Sequence, residues 1–260
     1  MALAQTPKGE VTGSAVVHTA ESAKAVIAGA SVALPVSVTG TAVFADALRD
    51  IPANTTSRVL VVVFLHGSSG LRLAAIAEWQ RWLAEQGIAS IAPDSFGPAD
   101  RLTYKSPVGK HVDEKVHALR ASEVGLALAA LRSAAWADPR QLILAGSSEG
   151  SPAGARQSGE GFVGKMIFAW SCEDNYFVES HQTSASKEPP VPNVISTTDP
   201  FFSAANPWFG NPAPRGHCGA ALKANPRASI VLIPDAPHTL FNLPAARQAV
   251  AGSLKETLLR

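Results

Sequence analysis

Short hydrophobic runs recur along most of the chain and predict the strands of a sheet. The residues from Val59 to Leu65 form a continuous apolar run rich in β-branched side chains. A strand that is apolar on both faces is buried on both faces, which is typical of a central parallel strand. Further buried strands are predicted at residues 88–92, 142–145, 163–170, 191–196 and 230–233.

Between these runs, apolar residues recur at helical spacing. They predict a helix that ends near Gly87, a long helix from Asp113 to Ala134 and a closing helix over residues 245–259. The apolar stripes of the three helices are, in order, Ile76, Trp79 and Leu83; Val116, Leu119, Val124, Leu128 and Leu131; and Val250, Leu254 and Leu258.

The first part of the chain has a different pattern. Residues 5–57 are polar and rich in Ala, Val and Thr, and short alternations such as residues 36–40 predict antiparallel edge strands. From residue 58 strands alternate with helices, which predicts an α/β protein with a mostly parallel central sheet flanked by helices. No segment has the composition of a linker, so we predict one domain over residues 1–260: edge strands and an extension in 1–57, and the core in 58–260.

The composition excludes several classes of protein. Of the 260 residues, 46% are hydrophobic and 17% are charged, and the formal net charge is +1. A near-neutral chain without a basic run lacks the charge that nucleic-acid binding requires. The hydrophobic content is not that of a disordered chain. The apolar run from Val59 to Leu65 is far shorter than the roughly 20 residues of a membrane span, so no span is expected.

The two cysteines, Cys172 and Cys218, allow at most one disulfide. Two descriptions fit them: small buried core residues, or a disulfide formed in an oxidising compartment. Near the start of the chain, Ala2-Leu3-Ala4 resembles the small-x-small remnant of a signal-peptidase site. We therefore expect a periplasmic or secreted protein whose signal peptide has been removed, with a cytoplasmic protein as the alternative.

A Gly-x-Ser-x-Gly segment at residues 146–150 follows the strand predicted at 142–145 and has Ser148 at its centre. A serine nucleophile on a sharp strand-to-helix turn needs small neighbours on both sides, and Gly146 and Gly150 meet that need. The turn would hold the Ser148 hydroxyl at the carboxyl edge of the sheet. The alternative is an ordinary Gly/Ser-rich turn at the start of a helix.

Two backbone N–H groups are candidates for stabilising an oxyanion. One belongs to Glu149, directly after Ser148, and the other to Ser68, in the Gly/Ser-rich loop after the first buried strand. The side chain of Glu149 is expected to be solvated or to complement the helix dipole. His66 is expected to brace the loop that contains Ser68, with a general-base role as the alternative.

A serine hydroxyl needs a general base, because it is almost entirely protonated at neutral pH. His238 follows the last predicted strand and should therefore lie at the same edge of the sheet as Ser148. His217, in a loop, is the reserve candidate.

The base needs a carboxylate that orients it. Asp199 follows the strand predicted at 191–196 and is the candidate. Asp174, after the preceding strand, is its rival. Asp235 is too close in sequence to His238 to reach its far nitrogen and is expected to cap a turn.

Aromatic residues are concentrated after the later strands, where several should line an apolar substrate cleft. The candidates for its walls are Trp170, Phe201, Phe202 and Trp208, with Tyr176, Phe177 and Phe209 nearby. No group of Cys or His has metal-ligand spacing and no phosphate-binding glycine motif is present, so we expect no metal and no other cofactor.

From residue 58 onward the chain resembles the α/β-hydrolase superfamily and is most similar to the dienelactone hydrolase family. The resemblance is carried by residues 66–70, 91–97 and 145–150, by Asp199 and by residues 236–238. It implies an α/β-hydrolase fold with the chain order Ser, Asp, His. Family members that open dienelactones carry a cysteine nucleophile, whereas Ser148 favours ordinary serine esterase chemistry.

We therefore expect a serine hydrolase that cleaves small-molecule or polymeric carboxylic esters through an acyl-enzyme. A peptidase, amidase or lactonase with the same three residues is an alternative. A catalytically silent hydrolase fold that only binds its ligand is another.

Overall fold

The computed structural model describes residues 9–158, 161–181, 183, 184, 189–204, 206 and 215–258. The strands in this part of the chain are β1 (Glu10–Thr12), β2 (Ser31–Leu34), β3 (Phe44–Ala47), β4 (Val59–Leu65), β5 (Ala89–Ala92), β6 (Thr103–Lys105), β7 (Ala137–Ser147), β8 (Gly164–Phe168), β9 (Val191–Ser196) and β10 (Ala228–Ile233). The helices are α1 (Ala20–Ala28), α2 (Val36–Thr39), α3 (Ala74–Glu85), α4 (Lys110–Ser133), α5 (Gly150–Arg156) and α6 (Pro244–Leu258), with a 3-10 turn at Leu48–Asp50.

One sheet contains eight of the described strands, in the order β10-β9-β8-β7-β4-β5-β2-β3. Neighbours from β10 to β5 pair in parallel, whereas β2 pairs antiparallel with both β5 and β3. The predicted mostly parallel sheet with antiparallel N-terminal edge strands is confirmed. Because parallel strands all end at the same edge, the loops after β4, β7, β9 and β10 meet there.

A layer of helices covers each face of this sheet. Successive side chains of a strand point to opposite faces, so Val62 and Phe64 of β4 pack with α3 and α6, whereas Val61 and Val63 pack with α4. The central position of β4, between β7 and β5, explains why this strand is apolar without interruption. None of the helices that the structure describes combines the length and hydrophobicity that a bilayer span requires.

The strand predicted from the alternation at residues 36–40 is wrong. Val36–Thr39 form the short helix α2, bounded by Pro35 and Gly40. Pro35 has the extended conformation that suits a helix N-cap, and Gly40 has a φ of +78° with its N–H donating to the carbonyl of Val36. Val36 is 47% exposed and Val38 is buried, because residues two apart lie on opposite sides of a helix, whereas in a strand they would share one face. Four residues are too few to distinguish the two periods.

Burial at one edge of the sheet also differs from the prediction. β10 is the edge strand of the sheet, and its Leu232 is 45% exposed. At the end of α6, Leu258 is 56% exposed, and the buried face of this helix ends with Leu254 and Thr257. Two residues that were predicted to be buried are therefore at the surface.

Cys172 and Cys218 form a disulfide, with their Cα atoms 4.7 Å apart. Both residues are buried in a third core cluster that includes Trp170 and Phe202. The cross-link joins the loop after β8 to the segment before β10, 46 residues further along the chain. The whole of β9 and the loop that follows it lie within this interval, so the disulfide restrains the part of the chain that contains Asp199.

Replacing both cysteines with alanine should lower the free energy of unfolding by about 3–5 kcal/mol, because a cross-link over this length of chain removes that much entropy from the unfolded state. Urea denaturation of the oxidised wild type and of Cys172→Ala/Cys218→Ala measures the change. Thiol counting in denaturant is the control and should find no free thiol in the oxidised protein. Equal urea midpoints would show that the cross-link does not constrain the unfolded chain.

Candidate active site

Ser148 occupies the sharp turn between β7 and α5, with a backbone φ of +52°. A positive φ is uncommon for a residue other than glycine, and strain of this kind is concentrated at functional sites. The neighbours must be small: a Cβ on Gly146 would lie 2.5 Å from the carbonyl oxygen of Gly150, and a Cβ on Gly150 would overlap the carbonyl of Leu65. The close approach of the backbone therefore requires both glycines of the motif.

The structure brings Ser148, His238 and Asp199 together in one hydrogen-bonded chain. The Ser148 Oγ lies 2.8 Å from the His238 Nε2, and the His238 Nδ1 lies 2.7 Å from the Asp199 Oδ2. Asp199 is fully buried, and its other carboxylate oxygen accepts hydrogen bonds from the backbone N–H groups of Phe201 and Phe202, each at 2.9 Å. A carboxylate held this way accepts the Nδ1 proton, which leaves the Nε2 lone pair facing the serine hydroxyl.

The rival candidates lie elsewhere. Asp174 is exposed and bonds His181, whose Nδ1 is 3.0 Å away, so it does not reach His238. His217 caps its own loop by accepting the N–H of Gly219 at 3.0 Å. Asp235 is exposed, has a φ of +48° and accepts the hydroxyl of Thr198, as expected of a turn residue.

His66 braces its loop, as predicted. Its ring is fully buried, the Nδ1 lies 2.7 Å from the carbonyl of Gly67, and the Nε2 accepts the N–H of Ser95 at 3.2 Å. Burial, together with the positive charge of Arg120, holds the pKa of His66 well below its ordinary value. A neutral imidazole with both nitrogens engaged has no lone pair left to act as a general base.

The backbone N–H groups of Ser68 and Glu149 have no acceptor among the described residues. Both belong to loops at the Ser148 end of the sheet, and Gly67 is so close that a Cβ there would lie 3.2 Å from the Cβ of Ser148. A small cleft of about 30 Å³ lies between these loops, with Leu73, Ile76 and Phe241 at its apolar side. Free donors beside a nucleophile are what an oxyanion requires.

The expectation that the Glu149 side chain is solvated is wrong. Glu149 is 1% exposed, and its carboxylate accepts a hydrogen bond from the guanidinium of Arg101. The Nε of Arg120 lies 3.8 Å from the same carboxylate oxygen. Two buried guanidinium groups therefore compensate the charge that follows the nucleophile, as buried charges require.

The same two arginines connect the sharp turn at Ser148, called the elbow below, to the loop that follows β4 and contains His66 and Ser68. Arg120 donates to the carbonyl of His66 at 2.7 Å and to the carboxylate of Glu123 at 2.6 Å. Ser95 accepts from Arg101 at 2.9 Å and donates to Glu123 at 2.6 Å. Both segments that carry the free N–H groups are thus fixed to one buried network of charges.

This network was not predicted from the sequence. Its members on α4, Arg120 and Glu123, lie on the inward-facing side of the helix, where the buried residues Asp113 and His117 precede them at helical spacing. The apolar residues alone predicted the buried face of α4, whereas charged residues in phase with them are buried as well. The sequence did contain a signal for this network, since polar residues at core positions of a predicted helix indicate buried polar contacts.

The predicted aromatic walls are only partly in place. The ring of Phe201 packs edge-on against His238, with centroids 4.6 Å apart, and Phe202 lies behind at 6.0 Å and is 1% exposed. Trp170 is fully buried in the third core cluster and is therefore a core residue, not a wall of the cleft. Trp208 and Phe209 lie outside the described residues.

No group of three or more His, Cys, Asp or Glu side chains in the described part of the chain is arranged to hold a metal ion.

Known structures share this fold, although no protein-family model and no curated protein sequence matches the chain. An S-formylglutathione hydrolase from Agrobacterium tumefaciens matches with a TM-score of 0.59 and 14% identity over 97% of this chain and 95% of its own. Est1E from Butyrivibrio proteoclasticus, solved with ferulic acid bound, matches with a TM-score of 0.55 and 12% identity over 81% and 94%. A proposed dienelactone hydrolase from Klebsiella pneumoniae subsp. pneumoniae MGH 78578 matches with a TM-score of 0.53 and 15% identity over 80% and 90%.

These proteins are members of the α/β-hydrolase superfamily, and the predicted α/β-hydrolase fold is confirmed.

Replacing Glu149 with glutamine should lower the free energy of unfolding by about 3–5 kcal/mol, because it leaves buried positive charge without its partner. The matched control is Glu10→Gln, which breaks the pair between Glu10 and Lys105 at the surface and should leave stability unchanged. Urea denaturation of both variants checks the difference. A Glu149→Gln variant as stable as the control would show that the network does not hold the elbow.

Proposed function

We propose that the protein is a serine hydrolase that cleaves carboxylic esters, with Ser148 as nucleophile, His238 as general base and Asp199 as the carboxylate that orients it. The observation that carries the proposal is the continuous Ser148–His238–Asp199 chain, with contacts of 2.8 and 2.7 Å, on a strained turn with free N–H donors beside it. An arrangement of nucleophile, base and orienting group is the signature of covalent acyl transfer.

The proposed reaction has two halves. The Ser148 oxygen attacks the ester carbonyl while His238 takes the hydroxyl proton, and His238 then gives that proton to the leaving alcohol. Water attacks the resulting acyl-enzyme, again with His238 as base, and releases the acid and the free serine. The backbone N–H groups of Ser68 and Glu149 stabilise the oxyanion in both halves, each by roughly 3 kcal/mol of the barrier.

The wider family of hydrolases with these groups includes esterases, lactonases and amidases. Fold neighbours named as esterases and hydrolases support ester hydrolysis as the first choice. A panel of a short-chain ester, a lactone, a polyester and a peptide amide separates these activities, and labelling by a fluorophosphonate separates all of them from a silent fold that only binds.

We also propose that the protein functions in an oxidising compartment, either the periplasm or the extracellular space. The buried disulfide between Cys172 and Cys218 supports this proposal, because such cross-links are rare in reducing cytoplasm. The small-x-small segment Ala2-Leu3-Ala4 lies outside the described residues. Trapping of free thiols in intact cells that express the protein tests it: two reactive thiols in the native host would contradict an oxidising location.

Ser148→Ala should lower turnover of p-nitrophenyl acetate by at least about a thousandfold, because the proposed acyl-enzyme forms on the hydroxyl that this change removes. The control is Ser133→Ala, at the far end of α4, where the hydroxyl bonds only a neighbouring carbonyl among the described residues. Initial rates at saturating ester, with circular dichroism to confirm folding, provide the measurement. Wild-type turnover in the Ser148→Ala variant would refute the mechanism.

Asp199→Asn should lower turnover by roughly a thousand- to ten-thousandfold, because an amide in place of the carboxylate favours the wrong imidazole tautomer. The matched variant is Asp174→Asn, which alters the rival carboxylate and should retain wild-type turnover. Steady-state kinetics on the same ester compares the two. The reverse order of effects would assign the orienting role to Asp174.

A further inference from the structure

A second group of polar and aromatic residues, each buried or half-buried, lies beside the proposed active site and takes no part in the proposed mechanism. We call it the Asp113 cluster and define it as Asp113, His117, Tyr104, Asn175, Tyr176 and Phe177. Asp113 and His117 are four residues apart on α4 and therefore lie on the same face of that helix. Both are buried, at 0% and 2% exposure.

Several polar atoms of the Asp113 cluster have no hydrogen-bond partner among the described residues. They are both carboxylate oxygens of Asp113, both ring nitrogens of His117 and the amide nitrogen of Asn175. A polar group that is buried without a hydrogen-bond partner lowers the stability of the folded chain. Single unpaired atoms occur elsewhere among the described residues, including the Nε of Arg120, but in Asp113 both carboxylate oxygens lack a partner.

Among the residues that the structure describes, no cation compensates the carboxyl of Asp113. The charged groups that act on it are the carboxylates of Glu149 and Glu114, and Glu114 is itself occupied by the guanidinium of Arg156 at 2.6 and 2.9 Å. Burial, reinforced by the two carboxylates, raises the pKa of Asp113 to about 8. At neutral pH the side chain is therefore mainly a carboxylic acid, which can donate one hydrogen bond and accept others.

Aromatic rings connect the Asp113 cluster to the proposed catalytic base. Phe177 packs against His117, with centroids 4.6 Å apart, and against Phe202 at 5.3 Å. Phe202 in turn lies 6.0 Å from His238. The phenol of Tyr176 is within electrostatic range of both Asp113 and Asp199, and burial followed by these charges raises its pKa. The cluster is thus continuous with the site that contains Ser148.

We propose that Asp113, together with Asn175 and the hydroxyl of Tyr104, forms a polar subsite that binds a hydroxyl group on the acyl or alcohol part of the ester substrate. The inference rests on the proposed esterase function. A hydroxyl both donates and accepts, so it can satisfy a carboxylic acid and an amide nitrogen at the same time. The rings of Phe177 and Phe202 pack between this group and His238. The hydroxyl of Tyr104 lies within electrostatic range of Asp113.

A matched series of substrates tests the proposal: ethyl esters of straight-chain acids of six to ten carbons, each with and without a terminal hydroxyl, and ethyl 3-phenylpropanoate with and without a 4-hydroxyl. One or more hydroxylated esters should have a kcat/KM at least about tenfold above that of its plain partner, because a site built to bond a hydroxyl discriminates against the analogue that lacks it. The series also measures how far the subsite lies from Ser148.

Two variants test whether Asp113 produces the preference for hydroxylated esters. Asp113→Leu should abolish it and lower kcat/KM for the preferred hydroxylated ester at least about tenfold, while changing the plain ester less than about twofold. Asp113→Asn should keep part of the preference, because its amide still donates and accepts. The control is Asp174→Asn, at the surface, which should behave as the wild type on every substrate.

Stability provides a readout that is independent of activity. The pKa of Asp113 in the folded chain, about 8, is above its ordinary value of 3.8, so the folded state binds an additional proton between these pH values. The stabilisation from that proton is complete below about pH 4 and is lost as the pH rises to about 8. Relative to Asp113→Asn, the wild type should therefore lose stability over this window, and Asp113→Leu should unfold at a higher temperature than the wild type at pH 8.

The outcomes are distinct. Wild-type protein that cleaves no ester at all contradicts the proposed function. Plain and hydroxylated esters cleaved equally well, or an Asp113→Leu variant that affects both equally, overturns the subsite and leaves the esterase function intact. A stronger preference for a 6-aminohexanoate ester than for the 6-hydroxyhexanoate ester also overturns it, because an ammonium group would require a charged Asp113.

Discussion

The hydrogen bond between Ser148 and His238 joins residues 90 positions apart, and the arrangement of the proposed site depends on it. The contact exists because the strands before both residues are parallel members of one sheet, so their loops emerge at the same edge. β7, β9 and β10 deliver Ser148, Asp199 and His238 to that edge in turn. A bond of 2.8 Å tolerates little displacement, so the loops must be held firmly. The disulfide and the buried charges supply that restraint.

Buried ionisable groups are compensated in one region of this fold and left without a partner in the region next to it. Beneath the elbow, Arg101, Arg120, Glu123 and Glu149 compensate one another, and their geometry fixes the two segments whose N–H groups face the cleft. A network of this kind adds little net stability compared with apolar packing, but removing one member leaves a charge exposed to a low dielectric. Its value lies in holding one backbone conformation.

Asp113 represents the opposite case, since its carboxyl is buried without a cation or a hydrogen-bond partner in the described part of the chain. An apolar residue of similar size would make the fold more stable. A residue that is unfavourable for stability and adjacent to the reacting groups has the character of a binding site, where unsatisfied polarity is completed by the ligand. The aromatic rings between Asp113 and His238 provide the continuity that this role needs.

Hydrophobic period and glycine spacing are local signals, and from them the sequence predicts the central strands, the three long helices and the tight turn around Ser148. It also places His238 and Asp199 after strands that end at the same edge, with Asp174 left as a rival. Contacts between distant parts of the folded chain are what make residues 36–39 a helix, leave Leu232 and Leu258 exposed and bury Trp170 in the core. They also direct the charged stripe of α4 inward. Burial and charge compensation depend on residues that are distant in sequence. A local pattern cannot specify which of these residues will pack against a given side chain or neutralise its charge.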